Sequence, residues 1–254
     1  MKYRLFTVLL GAATVAAPLS SVAMAQEGMS DDHVKTWKGV ATLRTVGTKS
    51  STRTLKAEYP VFSGSRPVAQ VAGLILKRDA LNGYNKFEKD SRGTAKDLGL
   101  VGELRYDYDF VPSLEWNTPR LISATTLYYM FMGGAHGMYG TSGYVFGYPQ
   151  GATRPRQLRL ADFFTDGEAA SKRVNNLLMA KLRATKGTEQ EATWVLEGDV
   201  KWVPVNMREN FIAEKDGLRW YFPPYAMGPY AAGEYEVKLT TSELGPEFRA
   251  GLLG

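Results

Sequence analysis

The chain contains two histidines, His33 and His136, and no cysteine. Without a thiol there is no cysteine nucleophile, no disulfide and no sulfur-ligated zinc. His136 lies in "MFMGGAHGMYGTSGYVFGY", residues 130 to 148, with Ser142 a few residues on. Nucleophilic catalysis needs a base within hydrogen-bond reach of the nucleophile and a third group to orient that base. No acid stands beside His136 in the sequence and there is no G-x-S-x-G elbow. His136 therefore reads as a loop residue that holds backbone groups, and Ser142, between Thr141 and Gly143, as a small residue of a strand. His33 follows Asp31 and Asp32, but three adjacent residues cannot wrap a tetrahedral metal site. The expectation there is a solvated N-terminal tail, and no catalytic residue, metal or cofactor is predicted.

Two further stretches carry polar groups of interest. Glu103, Asp107, Asp109 and Glu115 fall on one strand-like run, where paired carboxylates would serve glycoside hydrolysis at suitable separation. Alternating charges on such a run read more simply as its wet face. "WYFPPYAMGPYAAGEY", residues 220 to 235, places Pro223, Pro224 and Pro229 among Tyr225, Tyr230 and Tyr235. The prolines remove amide donors and stiffen the backbone, so this is a loop rather than a central strand. Rigid loops rich in tyrosine lose little entropy on binding. Two readings stand: a recognition surface, or rings capping the core. The candidate binding residues are Gly134, His136, Met138 and Tyr139 from the first stretch, and Pro223, Pro224, Tyr225 and Tyr230 from the second.

The elements that must position these loops follow from periodicity. "WKGVATLRTVG" and "TRTLKAEYPVF" alternate apolar and polar residues around "TKSS", which predicts a β-hairpin. Ser65 and Pro67 mark a helix start, and the apolar spacing from Val68 to Phe87 predicts a helix ending near Lys89, before Gly93. Three strand-like runs follow, "VGELRYDYDFVPSLEWN", "RLISATTLYYMFM" and "YGTSGYVFGY", the last two joined by the Gly-Gly-Ala-His-Gly loop. "LADFF" predicts a short helical turn, and "TDGE" (Thr165 to Glu168) has the spacing of a capping box before an amphipathic helix. "EQEATWVLEG" predicts a second helix, "NFIAEKDGLRWYF" a hairpin turning at Asp216-Gly217, and "EYEVKLT" a last strand with Ser242 capping a short helix after it. Elements in runs rather than strict alternation indicate an α+β fold. Antiparallel sheets packed with helices are expected, with a ββα segment in a small domain, residues 37–116, and a larger domain, residues 117–254.

The N-terminus opens with Lys2 and Arg4, an apolar run from Leu5 to Ala17 and an Ala23-Met24-Ala25 cleavage pattern. This predicts a signal peptide over residues 1–25, a flexible leader over residues 26–36 and a periplasmic or secreted protein. The apolar run is shorter than the ~20 residues that span a bilayer, so no transmembrane anchor is expected in the mature chain. Removing Lys2 and Arg4 lowers the formal net charge from +5 to +3. The basic residues are scattered, densest at Arg154, Arg156 and Arg159, and no nucleic-acid partner is predicted.

The order of the pieces, namely strands ending in Gly133-Gly134-Ala135-His136, then "LRLADFF", an amphipathic helix, Pro229-Tyr230-Ala231-Ala232-Gly233 and a closing strand, resembles one bacterial family. It is the extracytoplasmic domain of unknown function found in the ectodomain of the lysozyme-sensing anti-sigma factor RsiV and in PdaC-like proteins. The resemblance covers residues 100 to 250, and the preceding ββα segment looks like the smaller domain that accompanies it. Neither a deacetylase domain with its metal ligands nor a sigma-binding segment is expected from these residues. What the resemblance implies is a non-catalytic binding module whose partner is a lysozyme-like muramidase or peptidoglycan. The alternative is a cell-envelope hydrolase working through His136 or through carboxylates that the sequence does not pair.

Overall fold

The computed structural model describes residues 32–254; the predicted signal peptide and most of the predicted leader lie outside them. The described chain is α+β, built on a six-stranded sheet in sequence order and a separate three-stranded antiparallel sheet. The first sheet comprises β1 (Ala41–Lys49), β2 (Arg53–Phe62), β3 (Tyr106–Asn117), β4 (Leu121–Phe131), β5 (Met138–Gly147) and β6 (Arg156–Gln157). The second comprises β7 (Phe211–Glu214), β8 (Gly217–Phe222) and β9 (Tyr235–Thr240). The strands on either side of residue 117 pair with each other, so one sheet runs through that position.

A short helix, α1 (Asp32–Thr36), precedes β1. Here the expectation of a solvated tail fails: His33 Nε2 lies 2.7 Å from a Glu58 carboxylate oxygen and the next residues dock. Trp37 is fully buried and its indole N–H donates to Pro112 O, while Thr36 Oγ1 accepts from Leu114 N–H. β2 pairs with β3 only over residues 53–57, and α1 with Trp37 satisfies backbone groups of β3 beyond that point. The β2–β3 pair is also the one parallel pair of the sheet, because α2 (Pro67–Asp97) carries the chain back between them.

Helix α2 runs past the predicted end. Ser91 and Ala95 continue its buried stripe, and Gly93 meets open space on the other side. A glycine in a helix interior costs about 1 kcal/mol, which burial of that stripe and the ion pair of Arg92 with Glu88 offset. Its N-cap is Arg66, not Ser65, with Pro67 at the first helical position. Leu76, Ala80, Tyr84 and Phe87 cover one sheet face, where Leu55, Ala57, Tyr108, Phe110, Ile122 and Phe146 meet them.

The main core lies on the second sheet. Helix α3 (Gly167–Arg183) inserts Val174, Leu178 and Leu182 against Trp220, Phe222, Val237 and Leu239. Burying each large side chain of this kind contributes roughly 1.5–3 kcal/mol. Asp166 caps α3, accepting from the N–H groups of Glu168 and Ala169, one residue later than the Thr165 box predicts. The helix predicted over "EQEATWVLEG" shrinks to one turn, α4 (Thr193–Leu196), followed by another single turn, α5 (Val205–Arg208). In the β7–β8 hairpin Lys215 and Asp216 make the turn and Gly217 already belongs to β8. The last helix, α6 (Thr241–Leu244), is capped by Thr240 in a capping box with Glu243, not by Ser242.

The two sheets meet through main chain. A side chain at Gly143 on β5 would lie within 2.3 Å of Phe211 O on β7. Asn210 bridges there, accepting from Gly143 N–H at 2.7 Å and donating to Thr141 O and Tyr221 O at 2.9 and 2.8 Å. Ser123 Oγ, fully buried, accepts from Ala213 N–H.

Candidate functional site

Two loops emerge at one end of this assembly, Met132–Gly137 between β4 and β5, and Pro223–Glu234 between β8 and β9. Gly133 and Gly134 both adopt positive φ, 87° and 104°, which side-chain-bearing residues rarely take. Gly137 is bare for another reason: the Tyr129 ring occupies the space a Cβ would need.

The second loop turns at Pro223-Pro224-Tyr225-Ala226, closed by Ala226 N–H donating to Pro223 O at 3.0 Å. Pro224 suits the second position of such a turn, and Tyr225 takes φ 68° at the third, where glycine is favoured. Among the described residues it is the one non-glycine at positive φ, and its ring is 46% exposed. A strained conformation held this way marks a constrained, often functional position. A 3-10 turn, Tyr230–Ala232, ends at Gly233.

The loops meet through their rings. His136 stacks on Tyr230 with centroids 3.9 Å apart, and Tyr230 Oη donates to Gly137 O at 2.8 Å. Tyr225 lies 5.6 Å from Tyr230 and 6.4 Å from both His136 and Trp194. Tyr139 meets Tyr230 edge-on at 6.0 Å. His136 Nδ1 contacts Gly137 O at 3.0 Å, and its Nε2 lies 3.4 Å from Tyr225 Oη, so the imidazole is tied at both nitrogens yet exposed. Beneath the rings, the Glu234 carboxylate accepts from Thr141 N–H and Thr141 Oγ1, both at 2.6 Å, and ties the loop to β5. Burial pushes the Glu234 carboxyl above its usual range against the lowering effect of those two bonds. Burial likewise pushes the Tyr139 and Tyr230 hydroxyls up.

The structure thus brings together His136, Tyr139, Tyr225 and Tyr230, with Pro223 packed where Gly140 leaves room and Pro224 buried under the turn. Gly134 shapes the first loop and stands exposed. Met138 departs from this set. It pairs opposite Met130 on β4, and strand alternation puts it on the α2 face, away from Tyr139 and the rings. Ser142 shares that face, opposite Thr126. Sequence reasoning missed Trp194 and Glu234. Trp194 was readable only as part of a helix, and its place beside Tyr225 depends on the long-range fold. Glu234 directly follows the Gly233 that ends the second loop's signature.

The four carboxylates of this region divide: Glu103 and Glu115 are exposed, as a wet face predicts, while Asp107 is 6% exposed and Asp109 half-buried. Among the described residues no group of three His, Asp or Glu side chains is placed to hold a metal ion.

Residues 161–242 match the family model described as a protein of unknown function, DUF3298, and residues 47–139 match the model described as deacetylase PdaC. The fold is similar to a DUF3298-family protein from Bacteroides fragilis, with a TM-score of 0.58 and 17% identity over 84% of this chain and 97% of that one. A DUF3298-family protein from Pseudomonas aeruginosa gives a TM-score of 0.46 and 17% identity, over 81% and 90% of the two chains. No curated protein matches the chain. At 17% identity the likeness to the Bacteroides fragilis protein concerns the fold alone.

Proposed function

We propose that the protein is an exported binding module that engages a lysozyme-like muramidase through the ring cluster His136, Tyr225, Tyr230 and Trp194. The observation that carries this reading is the exposed Tyr225 ring, held at φ 68° by the turn and surrounded by three other rings. Clustered aromatics on a preorganised backbone are what binding hot spots are made of. The segment that brings Trp194 to the cluster carries Glu189, Glu191, Glu197 and Asp199 and no basic residue from Thr188 to Asp199. That local charge suits a cationic partner despite the net positive chain. The match of residues 47–139 to the model described as deacetylase PdaC supports an envelope setting for the module.

A second reading, a peptidoglycan strand as ligand, is favoured by a groove of about 640 Å³ beside the cluster, lined by Thr185, Thr188, Gln190 and Tyr235 among others. Gln190 there donates to Glu234 O at 3.4 Å, so groove and cluster share a wall. The test is co-sedimentation and pull-down of the protein spanning residues 26–254 with lysozymes of several types and with insoluble peptidoglycan. Saturable lysozyme binding, weakened at least tenfold by Tyr225→Ala with Tyr230→Ala, supports the muramidase reading. Retention on peptidoglycan alone replaces it with the second. Hydrolysis of peptidoglycan that disappears in His136→Ala, or in variants of the β3 carboxylates, overturns both in favour of an enzyme.

A further inference from the structure

The ring cluster is one end of a longer row. Register places Lys56 opposite Asp109, Asp109 opposite Tyr129, and Tyr129 opposite Tyr139, on one face across β2, β3, β4 and β5. Tyr139 meets Tyr230, so the row leads into the aromatic cluster. Its far end holds three carboxylates, Glu58, Asp107 and Asp109. Glu58, 6% exposed, contacts His33 Nε2 at 2.7 Å and Lys56 Nζ at 2.8 Å, with Thr45 Oγ1 at 3.4 Å. Asp107, also 6% exposed, accepts from Arg105 Nε at 3.0 Å through one oxygen. Its other oxygen, Oδ1, is buried with no hydrogen-bond donor. Asp109 makes no ion pair of contact length among the described residues.

Carboxylates outnumber the lysine and arginine beside them, and both of these cations reach in from solvent, each pairing with a single carboxylate. The Lys56 side chain is 41% exposed and that of Arg105 67%. Arg105, just before β3, reaches Asp107 from two positions away and leaves Oδ1 unserved. A buried acceptor without a donor is unfavourable, and a planar guanidinium or an ammonium is the group that satisfies two neighbouring carboxylates at once. The spacing does not suit a metal ion. Burial raises the Asp109 carboxyl, with Lys56 pulling it down and Asp107 and Glu58 pushing it further up.

We propose that Asp107 and Asp109 recognise a basic side chain of a protein partner, in the place Arg105 now half fills, while the same partner rests on the ring cluster. The partner then contacts both ends of the row, apolar at Tyr225 and Tyr230 and acidic at Asp109, on either side of the buried Tyr129. This rests on the reading of the cluster as a protein-binding site and adds the charge its partner must carry.

The test titrates the protein with a cationic lysozyme and, separately, with a hexalysine peptide at low salt, using wild type, Asp109→Asn, Asp107→Asn and the Tyr225→Ala/Tyr230→Ala pair. Asp109→Asn removes a buried charge and is expected to fold at least as well as wild type, so it stays informative should Asp107→Asn fail to fold. The expected result is a fall of tenfold or more in lysozyme affinity with Asp109→Asn. Hexalysine binding should be lost in that variant and unchanged in the tyrosine pair. It should also weaken as pH falls, because protonated Asp109 attracts no cation. Lysozyme affinity that ignores both aspartate changes but falls with the tyrosines overturns the acidic half and leaves the cluster reading intact. Hexalysine binding that depends on Asp109, without any lysozyme binding, keeps the acidic site and removes the muramidase. Absence of binding to both ligands overturns both.

Discussion

The face of the six-stranded sheet that looks away from α2 has two halves, and they are built on different terms. Under the second sheet, polar groups are spent on holding the two layers together: Ser123 Oγ takes Ala213 N–H, and Asn210 serves three backbone partners. On the other half, Asp107 Oδ1 has no donor, Asp109 makes no ion pair of contact length among the described residues, and Tyr225 sits in a backbone conformation that disfavours side chains. Buried polar groups in folded proteins are overwhelmingly satisfied, so the exceptions are informative. The second half keeps a buried acceptor without a donor and a side chain in the left-handed region.

The contrast breaks most violently at Gly143. Gly143→Val would drive a branched side chain into the Phe211 main chain, where the backbone has nowhere to give. A loss of at least about 3 kcal/mol is expected, the upper range for overpacking, read as a fall in the denaturant midpoint. A variant as stable as wild type would show that the sheets are not docked through β5. Next in size is Asn210→Ala, which strands Gly143 N–H, Thr141 O and Tyr221 O at a half-buried junction. Each unsatisfied group of this kind costs about 1–3 kcal/mol, and partial hydration should bring the total to about 2–3 kcal/mol by the same measurement. Asn210→Asp should be nearly as harmful, because it keeps the acceptor for Gly143 but loses the amide that serves both carbonyls.

A smaller effect is expected from Glu234→Gln, and it is a matter of pH. The folded carboxyl is raised by burial, so the fold binds a proton more tightly than the unfolded chain does. Its stabilising contribution is full below the unfolded carboxylate range, about pH 4, and is lost as pH rises through the higher folded value. Glutamine does not titrate, and it can accept from Thr141 N–H while donating to Thr141 Oγ1. Unfolding free energies at pH 4, 5, 6 and 7 should therefore move in favour of the variant as pH rises. A difference that stays flat, or runs the other way, would mean that Glu234 is held by Thr141 as a comfortable carboxylate.

Strand and helix types were legible where periodicity was strong, at the β1–β2 hairpin, β3 to β5 and α3. Boundaries failed where a local signal competed with burial. Gly93 reads as a stop, yet α2 passes it because Ser91 and Ala95 still face the sheet. Capping residues were misread by one or two positions, at Ser65, Thr165 and Ser242, because neighbouring polar residues offer equivalent local chemistry and only the backbone direction decides. The prolines and glycines named both loops of the candidate site in advance. That the loops touch was not readable, since His136 and Tyr230 are brought together by the docking of two sheets rather than by any local pattern. The same holds for Asp107 and Asp109: alternation marked them as one face, and only the packed structure shows that these two are withdrawn from solvent while Glu103 and Glu115 stay exposed.

The finest test of the comparison is at Tyr225, where strain and contact oppose each other within one residue. A left-handed conformation costs a side-chain-bearing residue about 1–2 kcal/mol relative to glycine. Against this, the ring is about half exposed and its contacts are centroid separations of 5.6 to 6.4 Å with Tyr230, His136 and Trp194. Tyr225→Ala keeps the strain and discards the contacts, so it should lose stability modestly, by about 1 kcal/mol or less. Tyr225→Gly discards both, and should recover most or all of that loss. The extra chain entropy of glycine in the unfolded state, about 0.4–1 kcal/mol, works against the recovery and keeps it from becoming a gain. Both variants should lose partner binding alike, since neither has the ring. If glycine proves less stable than alanine, the turn is not strained at Tyr225, and the inference that a binding group is being held there at the expense of the fold loses its physical basis.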